Sequence, residues 1–252
     1  MNYHIVPYDH DPVANAGEKF AAFRASLGTR TDCADYVAKL DQATDIIDRV
    51  LAEYPLDSLC LSFNGGKDCT ALLHLVYIKI VEKYGASAHL PAVYIAPQSV
   101  FPETEQFIQE TCRRYNLSLV QLPSPIKAAL TELKLSRPGI TAVFMGSRAT
   151  DPNVFHPDPL AWTDPDWPRY LRAQPIIEWS YSTVWRFLRD LSVPYCRLYD
   201  RGYTSMGAKD STGPNEALRY VDKAGVVRYH PAYMLEDESL ERAGRSTHRS
   251  NV

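Results

Sequence analysis

The run Ser62-Phe63-Asn64-Gly65-Gly66-Lys67-Asp68-Cys69 holds the residue types a phosphate site needs, in an order that could serve one. Two adjacent glycines let backbone N–H groups converge on an anion with no Cβ in the way. Asn64 can donate an amide N–H to a phosphate oxygen. Asp68 would repel a phosphate that it touched directly, so its position makes sense if a Mg²⁺ ion sits between them. This is not the Walker pattern: position 61 is leucine where the first glycine is needed, and an acid follows Lys67. The alternative is a tight strand-to-helix turn in which glycine serves geometry alone. Cys69 also has two readings, nucleophile or small packed residue, and the second is the commoner role of such a cysteine. His74 is the one histidine near it in sequence, and it reads as packed or solvent-facing.

Such a loop acts only if a strand delivers it and a helix leaves it. Ser58 to Phe63 is a short, mostly apolar run suited to a strand buried on both faces. A helix over about 69–84 follows, with its unpaired N–H groups and positive dipole end at the loop. Further strands are predicted over 90–96, 117–122 and 140–145, with helices over 103–115 and from Pro125 to about 135. Before the loop, the first ~30 residues read as an irregular lead into a helix over 33–53. Thr31 or Asp32 would cap that helix, Val37, Leu40, Ile47, Val50 and Leu51 line one side, and Pro55 ends it. Strands alternating with helices predict an α/β fold with a mostly parallel central sheet flanked by helices. Asp151 then falls at the carboxyl end of the fourth strand, the edge where ligands of open α/β sheets gather, although Thr-Asp-Pro is also a common turn opening.

Residues 150–175 are proline-rich and read as an irregular, functional loop. A short strand at Ile176-Ile177, a helix over 182–191 and a loop-like stretch over 194–215 come next. The arginine-rich end from Arg242 has little that could pack, and its last several residues are expected to be mobile. A single domain is expected, with a helical lead (1–57), an α/β core (58–192) and a C-terminal extension contributing to the site (193–252).

The chain has 252 residues and a formal net charge of −3, with 45% hydrophobic and 23% charged residues. It is long enough to bury a core without staples, and no excess of positive charge points to nucleic acid or an anionic membrane. No run approaches the ~18 apolar residues of a membrane span. The start, Met1 to Asp11, carries His4, Asp9, His10 and Asp11 and does not resemble a signal peptide. Cys33, Cys60, Cys69, Cys112 and Cys196 are scattered without a C-x-x-C pair. That argues against a disulfide framework or zinc site and for a reducing, cytoplasmic home. A monomer is expected, with a weak dimer as the alternative.

The loop resembles the PP-loop of the adenine-nucleotide alpha hydrolase-like superfamily, commonly S-G-G-x-D-S, with Asn64 and Cys69 in place of the two serines. One branch shares that departure, the eukaryotic-type FAD synthases, or FMN adenylyltransferases. Residues 146–152, 164–175, 195–207 and 241–245 resemble further segments of the same branch, in the same order. The resemblance implies a Rossmann-like PP-loop domain with a C-terminal loop-rich subdomain, and a Mg²⁺-dependent reaction in which ATP and FMN give FAD and pyrophosphate. It implies that Asn64, Gly66 and Asp68 lie in the ATP-phosphate and Mg²⁺ region, with Ser62, Phe63, Gly65, Lys67 and Arg148 beside them. Asp151 matches an acid of the active centre and is the second expected metal carboxylate. Asp164, Trp167 and Arg172 match positions associated with the flavin, and Arg242 and Arg245 match arginines linked to catalysis and substrate phosphates. After Gly207 the chain departs from the branch: Ala208-Lys209-Asp210-Ser211 stands where an Asn-rich stretch is common, and the contacts of this loop stay open.

ATP and FMN would bring about six negative charges to one place. Mg²⁺, Lys67, Arg148, Arg242 and Arg245 are the candidates to neutralise them, arginine by forked contact with phosphate oxygens; for Arg242 and Arg245 a solvated tail is the other reading. A phosphate monoester is largely dianionic at neutral pH, with its second pKa near ~6, so no base is needed; His156 and His230 stay unassigned. Trp162 and Trp167 are either loop packing or an aromatic wall for a flat ring. A sulfonucleotide reductase would need a redox cysteine near the C-terminus, and none follows Cys196. A tRNA-modifying enzyme would bring paired cysteines or an RNA-binding domain, and neither is visible. A non-catalytic nucleotide sensor is the remaining rival, and the co-occurrence of Asp68, Asp151 and two late arginines argues against it. No second domain of the kind some animal relatives carry is visible, so a hydrolase side activity is not expected.

Overall fold

The computed structural model describes residues 13–28, 30–152 and 158–246. The polar start up to Asp11, His156 and the end expected to be mobile beyond Ser246 lie outside the described residues.

A six-stranded sheet forms the centre, in the order β3-β2-β1-β4-β6-β5. The strands are β1 (Leu59–Ser62), β2 (Leu90–Ala96), β3 (Leu117–Pro123), β4 (Ala142–Phe144), β5 (Leu160–Trp162) and β6 (Leu171–Ala173). All pairs are parallel except β5 with β6. The helices are α1 (Ala16–Gly28), α2 (Ala34–Glu53), α3 (Lys67–Tyr84), α4 (Pro102–Arg114), α5 (Ile126–Ser136) and α6 (Tyr181–Asp190). This is the α/β sheet with flanking helices that the alternation predicts.

Successive residues of a strand face opposite sides of the sheet. Leu59 and Leu61 therefore join the core that α1, α2, α3 and α6 cover, while Cys60 joins a smaller core with Leu133, Val143 and Tyr170 under α5. The first turns and centre of α3 are buried all round, with Cys69, Ala71, Leu72, Leu73, Leu75 and Val76 at 6% exposure or less, as expected of a helix packed between the sheet and other helices. The chain reverses direction in the strand order between β1 and β4, so a crevice opens outside their carboxyl ends. Among the described residues, no helix is long and apolar enough to cross a membrane.

Four expectations need correction. The lead before position 30 contains α1, whose buried side is only Ala16, Phe20 and Leu27, too sparse to show helical periodicity. Neither Thr31 nor Asp32 caps α2; they form a 3₁₀ turn, and Asp32 binds the Arg30 guanidinium instead. The stretch 150–175 contains β5 and β6, three-residue strands hidden between prolines, and β6 rather than Ile176-Ile177 extends the sheet. The C-terminal end packs as far as Ser246: Gly213 N–H donates to Gly244 O at 2.8 Å and Ser246 N–H to Ser211 O at 3.0 Å.

His74 is 2% exposed, pairs through Nδ1 with the Tyr115 hydroxyl at 2.9 Å, and meets Phe187 edge-on. Burial, and then the charge of Lys19, lowers its pKa from 6.5 to about 3. The stability this buried neutral imidazole allows is complete above its unfolded value and lost as pH falls toward the folded value, at about 1.4 kcal/mol per pH unit. Acidification from about pH 7 to about pH 5 should remove about 2 kcal/mol through this group alone. Urea unfolding of wild type and His74→Gln at both pH values checks this: the pH slope of the variant should be shallower by that amount.

Candidate active site

The carboxyl end of β1 runs into the glycine loop, and Phe63, fully buried, pins it by donating its N–H to Val93 O at 2.9 Å. Gly65 has φ of +75°, a conformation glycine adopts without strain. Asn64 Oδ1 accepts from Gly66 N–H at 2.9 Å and from the Cys69 thiol at 3.0 Å. The side-chain oxygen is thus engaged within the loop, and the amide NH₂ is the group Asn64 can offer to a ligand. Lys67 N–H, at the start of α3, donates to the buried Tyr199 hydroxyl at 2.8 Å. Burial pushes the Cys69 thiol up to about 12, so the packed reading holds and a thiolate nucleophile does not.

The end of β4 lies directly against the first turn of α3. A Cβ on Gly146 would stand 2.8 Å from Cys69 N, so only glycine lets the two segments approach this closely. That approach delivers Arg148 and Asp151 to the loop. Arg148 is 1% exposed and Lys67 2%. The Arg148 Nε lies 2.8 Å from Asp68 Oδ1, and its Nη2 lies 3.7 Å from Asp151 Oδ1. Asp151 Oδ2 accepts the Arg148 backbone N–H at 2.9 Å. Lys67 Nζ reaches Asp68 Oδ2 at 3.0 Å and lies 5.0 Å from the centre of the Tyr181 ring.

Glu241, from the C-terminal segment, completes this cluster. Its carboxylate accepts from Lys67 Nζ at 2.5 Å and from Arg148 Nη2 at 2.7 and 2.6 Å. Burial alone would lower the Arg148 pKa; Asp68, Glu241 and Asp151 outweigh it and hold the guanidinium above its ordinary value. Lys67 and Arg148, expected as cations for phosphate, are therefore placed in ion pairs with carboxylates of the chain itself. Within this cluster Asp68 Oδ1 and the Arg148 Nε and Nη1 are buried without a hydrogen-bond partner among the described residues.

Arg245 and Arg242 follow Glu241. Arg245 is half-buried; its Nη1 donates to Thr212 Oγ1 at 2.9 Å and fills the space over Gly207, where a Cβ would fall 1.3 Å from that nitrogen. Burial and the neighbouring Arg242 charge lower the Arg245 pKa, and Tyr199 opposes them. Among the described residues, neither arginine has a carboxylate within ion-pair distance. The segment is held by Asn215, fully buried, whose amide donates to Leu240 O at 2.7 Å and to Thr204 Oγ1 at 2.9 Å; Thr204 in turn donates to Glu241 O at 2.6 Å. The loop left open by sequence is also anchored: Lys209 N–H donates to Ser99 O at 3.1 Å, and Ser99 Oγ to Asp210 Oδ1 at 3.0 Å.

Asp164 and Trp167 lie in the hairpin between β5 and β6, and Arg172 lies on β6 with Nη2 donating to Trp162 O at 3.2 Å. Lys127, in the first turn of α5, pairs with Asp166 at 2.7 Å and lies 5.6 Å from the Trp167 ring centre. The hairpin tip is thereby tied to a helix start at the carboxyl edge of the sheet. No hydrogen bond or ion pair of the described residues joins these three positions to the Asp68 cluster. A cavity of about 350 Å³ at the opposite, amino end of the strands is lined by Asp57, His89 and Arg137 and holds none of the expected site residues.

Sequence reasoning missed Glu241, Tyr199 and Asn215. Glu241 lies beside Arg242 in a segment that stands out, so its signal was present; Tyr199 and Asn215 act through tertiary placement that no local pattern encodes.

The family described as the phosphoadenosine phosphosulfate reductase domain matches residues 58–130 and 123–214. A "Probable FAD synthase" of Caenorhabditis briggsae is 47% identical over 244 residues, covering 96% of this chain and 47% of that protein. The chain spans about half the length of the worm relatives it matches. A "Probable FAD synthase" of Schizosaccharomyces pombe is 38% identical, covering 82% of this chain and 79% of that protein. Candida glabrata FMN adenylyltransferase, solved in complex with FMN and the ATP analog AMPCPP, superposes with a TM-score of 0.82 at 27% identity, covering 92% of this chain and 99% of that one. With the loop, the carboxylate–cation cluster and the late arginines in the order the resemblance requires, the chain belongs to the phosphoadenosine phosphosulfate reductase domain family and, within it, to the FAD synthases.

Proposed function

We propose that this protein is an FMN adenylyltransferase, transferring AMP from ATP to the phosphate of FMN and releasing pyrophosphate. The observation that carries the reading is Arg245, half-buried beside Arg242, with a depressed pKa and, among the described residues, a neutral hydroxyl and no carboxylate as its side-chain partner. Two neighbouring cations with no carboxylate in ion-pair distance among the described residues suit an anion, and phosphate matches the guanidinium fork. The C. glabrata enzyme, whose complexes contain FMN with an ATP analog and FAD with pyrophosphate, supports the choice of substrates.

In this reading the glycine loop and the Asn64 amide hold the ATP phosphates. A flavin phosphate oxygen attacks the α-phosphorus and the pyrophosphate oxygen leaves. The attacking dianion needs no base, since its second pKa is near ~6. Rate acceleration falls to positioning and charge stabilisation, with Arg242 and Arg245 set against the charge that develops on the transferring and leaving groups. The Arg148 Nη1 donor, buried without an acceptor, is satisfied by a substrate oxygen. The hairpin with Trp162, Trp167 and Asp164, together with Arg172, forms the wall toward which the flavin extends.

A Mg²⁺ site is part of the proposal. Among the described residues, no cluster of three or more ligating side chains exists, but Mg²⁺ characteristically takes one or two carboxylates and completes its shell with water and substrate phosphates. Asp68 and Asp151, each in reach of Arg148 and each with an oxygen not fully used, fit that requirement. When bound, the ion would neutralise phosphate charge and bridge nucleotide to protein. Unpaired cysteines, four of them buried, accord with a reducing, cytoplasmic setting.

Incubation with ATP, Mg²⁺ and FMN should yield FAD and pyrophosphate, while phosphoadenosine phosphosulfate with a dithiol reductant should yield no sulfite; the opposite pair of results would overturn the reading. Asp151→Ala should lower kcat by about a hundredfold or more with an unchanged circular dichroism spectrum, and wild-type-like kcat would remove Asp151 from the centre. In Gly207→Ala the new Cβ collides with the movable tip of Arg245 rather than with backbone. That variant should keep its melting temperature within a few degrees and lose kcat by about tenfold or more, matching Arg245→Ala.

A further inference from the structure

The buried cluster contains more carboxylates than cations, and the cations are not shared evenly. Lys67 and Arg148 face Asp68, Asp151 and Glu241. Glu241 takes the shortest contacts with both, at 2.5 Å to Lys67 and 2.6 Å to Arg148. Asp68 Oδ1, although 2.8 Å from Arg148 Nε, is a buried acceptor without a hydrogen bond, so the approach is misdirected. Asp151 Oδ1 is 3.7 Å from the guanidinium. Asp68 Oδ2 still accepts from Lys67 Nζ at 3.0 Å, but Asp68 Oδ1 and Asp151 Oδ1 are held less directly, while the acid from the C-terminal segment takes the closest contacts of both cations.

We infer that Glu241 is a positioning residue for divalent-metal binding: by taking the closest contacts of Lys67 and Arg148 it weakens their hold on Asp68 and Asp151, so that a metal accompanying the nucleotide can compete for those carboxylates. Without the Glu241 charge, the nearest anions left to Lys67 and Arg148 are Asp68 and Asp151. Ion pairing there competes with the metal, and the local charge rises by one unit. Both effects weaken a divalent cation at the loop. The Thr204–Asn215 clamp on the backbone of 240–241 makes this supply of charge depend on a seated C-terminal segment. The inference rests on the nucleotide-and-metal reading of the site above.

The test compares wild type, Glu241→Gln and Glu241→Asp. Glutamine keeps the shape and removes the charge, and aspartate restores the charge on a shorter stem. Two readouts are taken: Mg²⁺ dependence of FAD formation, and calorimetric titration of Mn²⁺ into each protein with AMPCPP present. Glu241→Gln should need about tenfold more metal in both, the effect of one charge in a partly buried site, with KM for FMN unchanged and Glu241→Asp intermediate. If Glu241→Gln folds and its metal affinity equals that of wild type, the inference fails, whatever happens to kcat. If Glu241→Gln does not fold, Glu241→Asp decides alone, and an unshifted metal affinity in it overturns the inference. If wild type binds neither Mn²⁺ nor AMPCPP, the underlying reading of the site fails instead.

Discussion

Lys67 and Arg148 are charged side chains buried to 2% and 1% exposure at the centre of the molecule, and the rest of the site depends on how that charge is met. A buried ion is tolerated only when paired with good geometry; removing one partner of such a pair typically costs about 3–5 kcal/mol. Asp68, local to the loop, touches both cations at 3.0 and 2.8 Å and Asp151, after β4, approaches only Arg148, whereas Glu241 meets both more closely and Arg148 through both its oxygens. The segment that carries Glu241 is more than 90 residues further along the chain than Arg148. The C-terminal extension thus supplies the closest counter-charge of two cations buried in the α/β core, which ties the seating of a loop-rich segment to the integrity of the phosphate loop.

The same segment is fixed by neutral contacts as well as by charge. Asn215 spends its amide on Leu240 and Thr204 and accepts from Ala217 N–H, so a fully buried polar side chain is satisfied and acts as a rivet between 202–204 and 240–241. Gly207 leaves room for the Arg245 guanidinium, and a Cβ on Gly244 would lie 2.4 Å from Gly213 O, so these glycines permit close approach of backbone and side chain. Glu241 is drawn inward to the cations, while Arg242 and Arg245 have no carboxylate in ion-pair distance among the described residues. One short segment therefore both pairs with the buried cations through Glu241 and carries Arg245 onto Thr212 and Gly207.

Much of the core was legible because its signals are local. An apolar run of Leu59-Cys60-Leu61 before two glycines can only be a buried strand feeding a turn, and the strands over 90–96 and 117–123 match their predicted bounds closely. The gathering of Asp68, Arg148 and Asp151 at one edge follows from their place after parallel strands, whose carboxyl ends share a side. What escaped is what depends on distant partners. β5 and β6 are too short for alternation to register and exist because β4 offers an open edge to β6. Lys67 reads in sequence as a ligand for phosphate, but its partner Glu241 lies 174 residues away.

The departure of the loop from the commoner serine pattern has a physical logic in the coordinates. A serine at position 64 could not reach as far as asparagine, whose Oδ1 turns back to accept Gly66 N–H and the Cys69 thiol together. With its oxygen held on two sides, the Asn64 amide plane is oriented and its NH₂ faces away from both donors. Cys69 suits this arrangement because it is a weak donor and a good packing residue, fully protonated with its pKa near 12, and its second contact is Gly66 O at 3.2 Å. The pair Asn64 and Cys69 therefore acts as one unit: the thiol supports the amide, and the amide keeps its NH₂ available beside the backbone of the glycine loop.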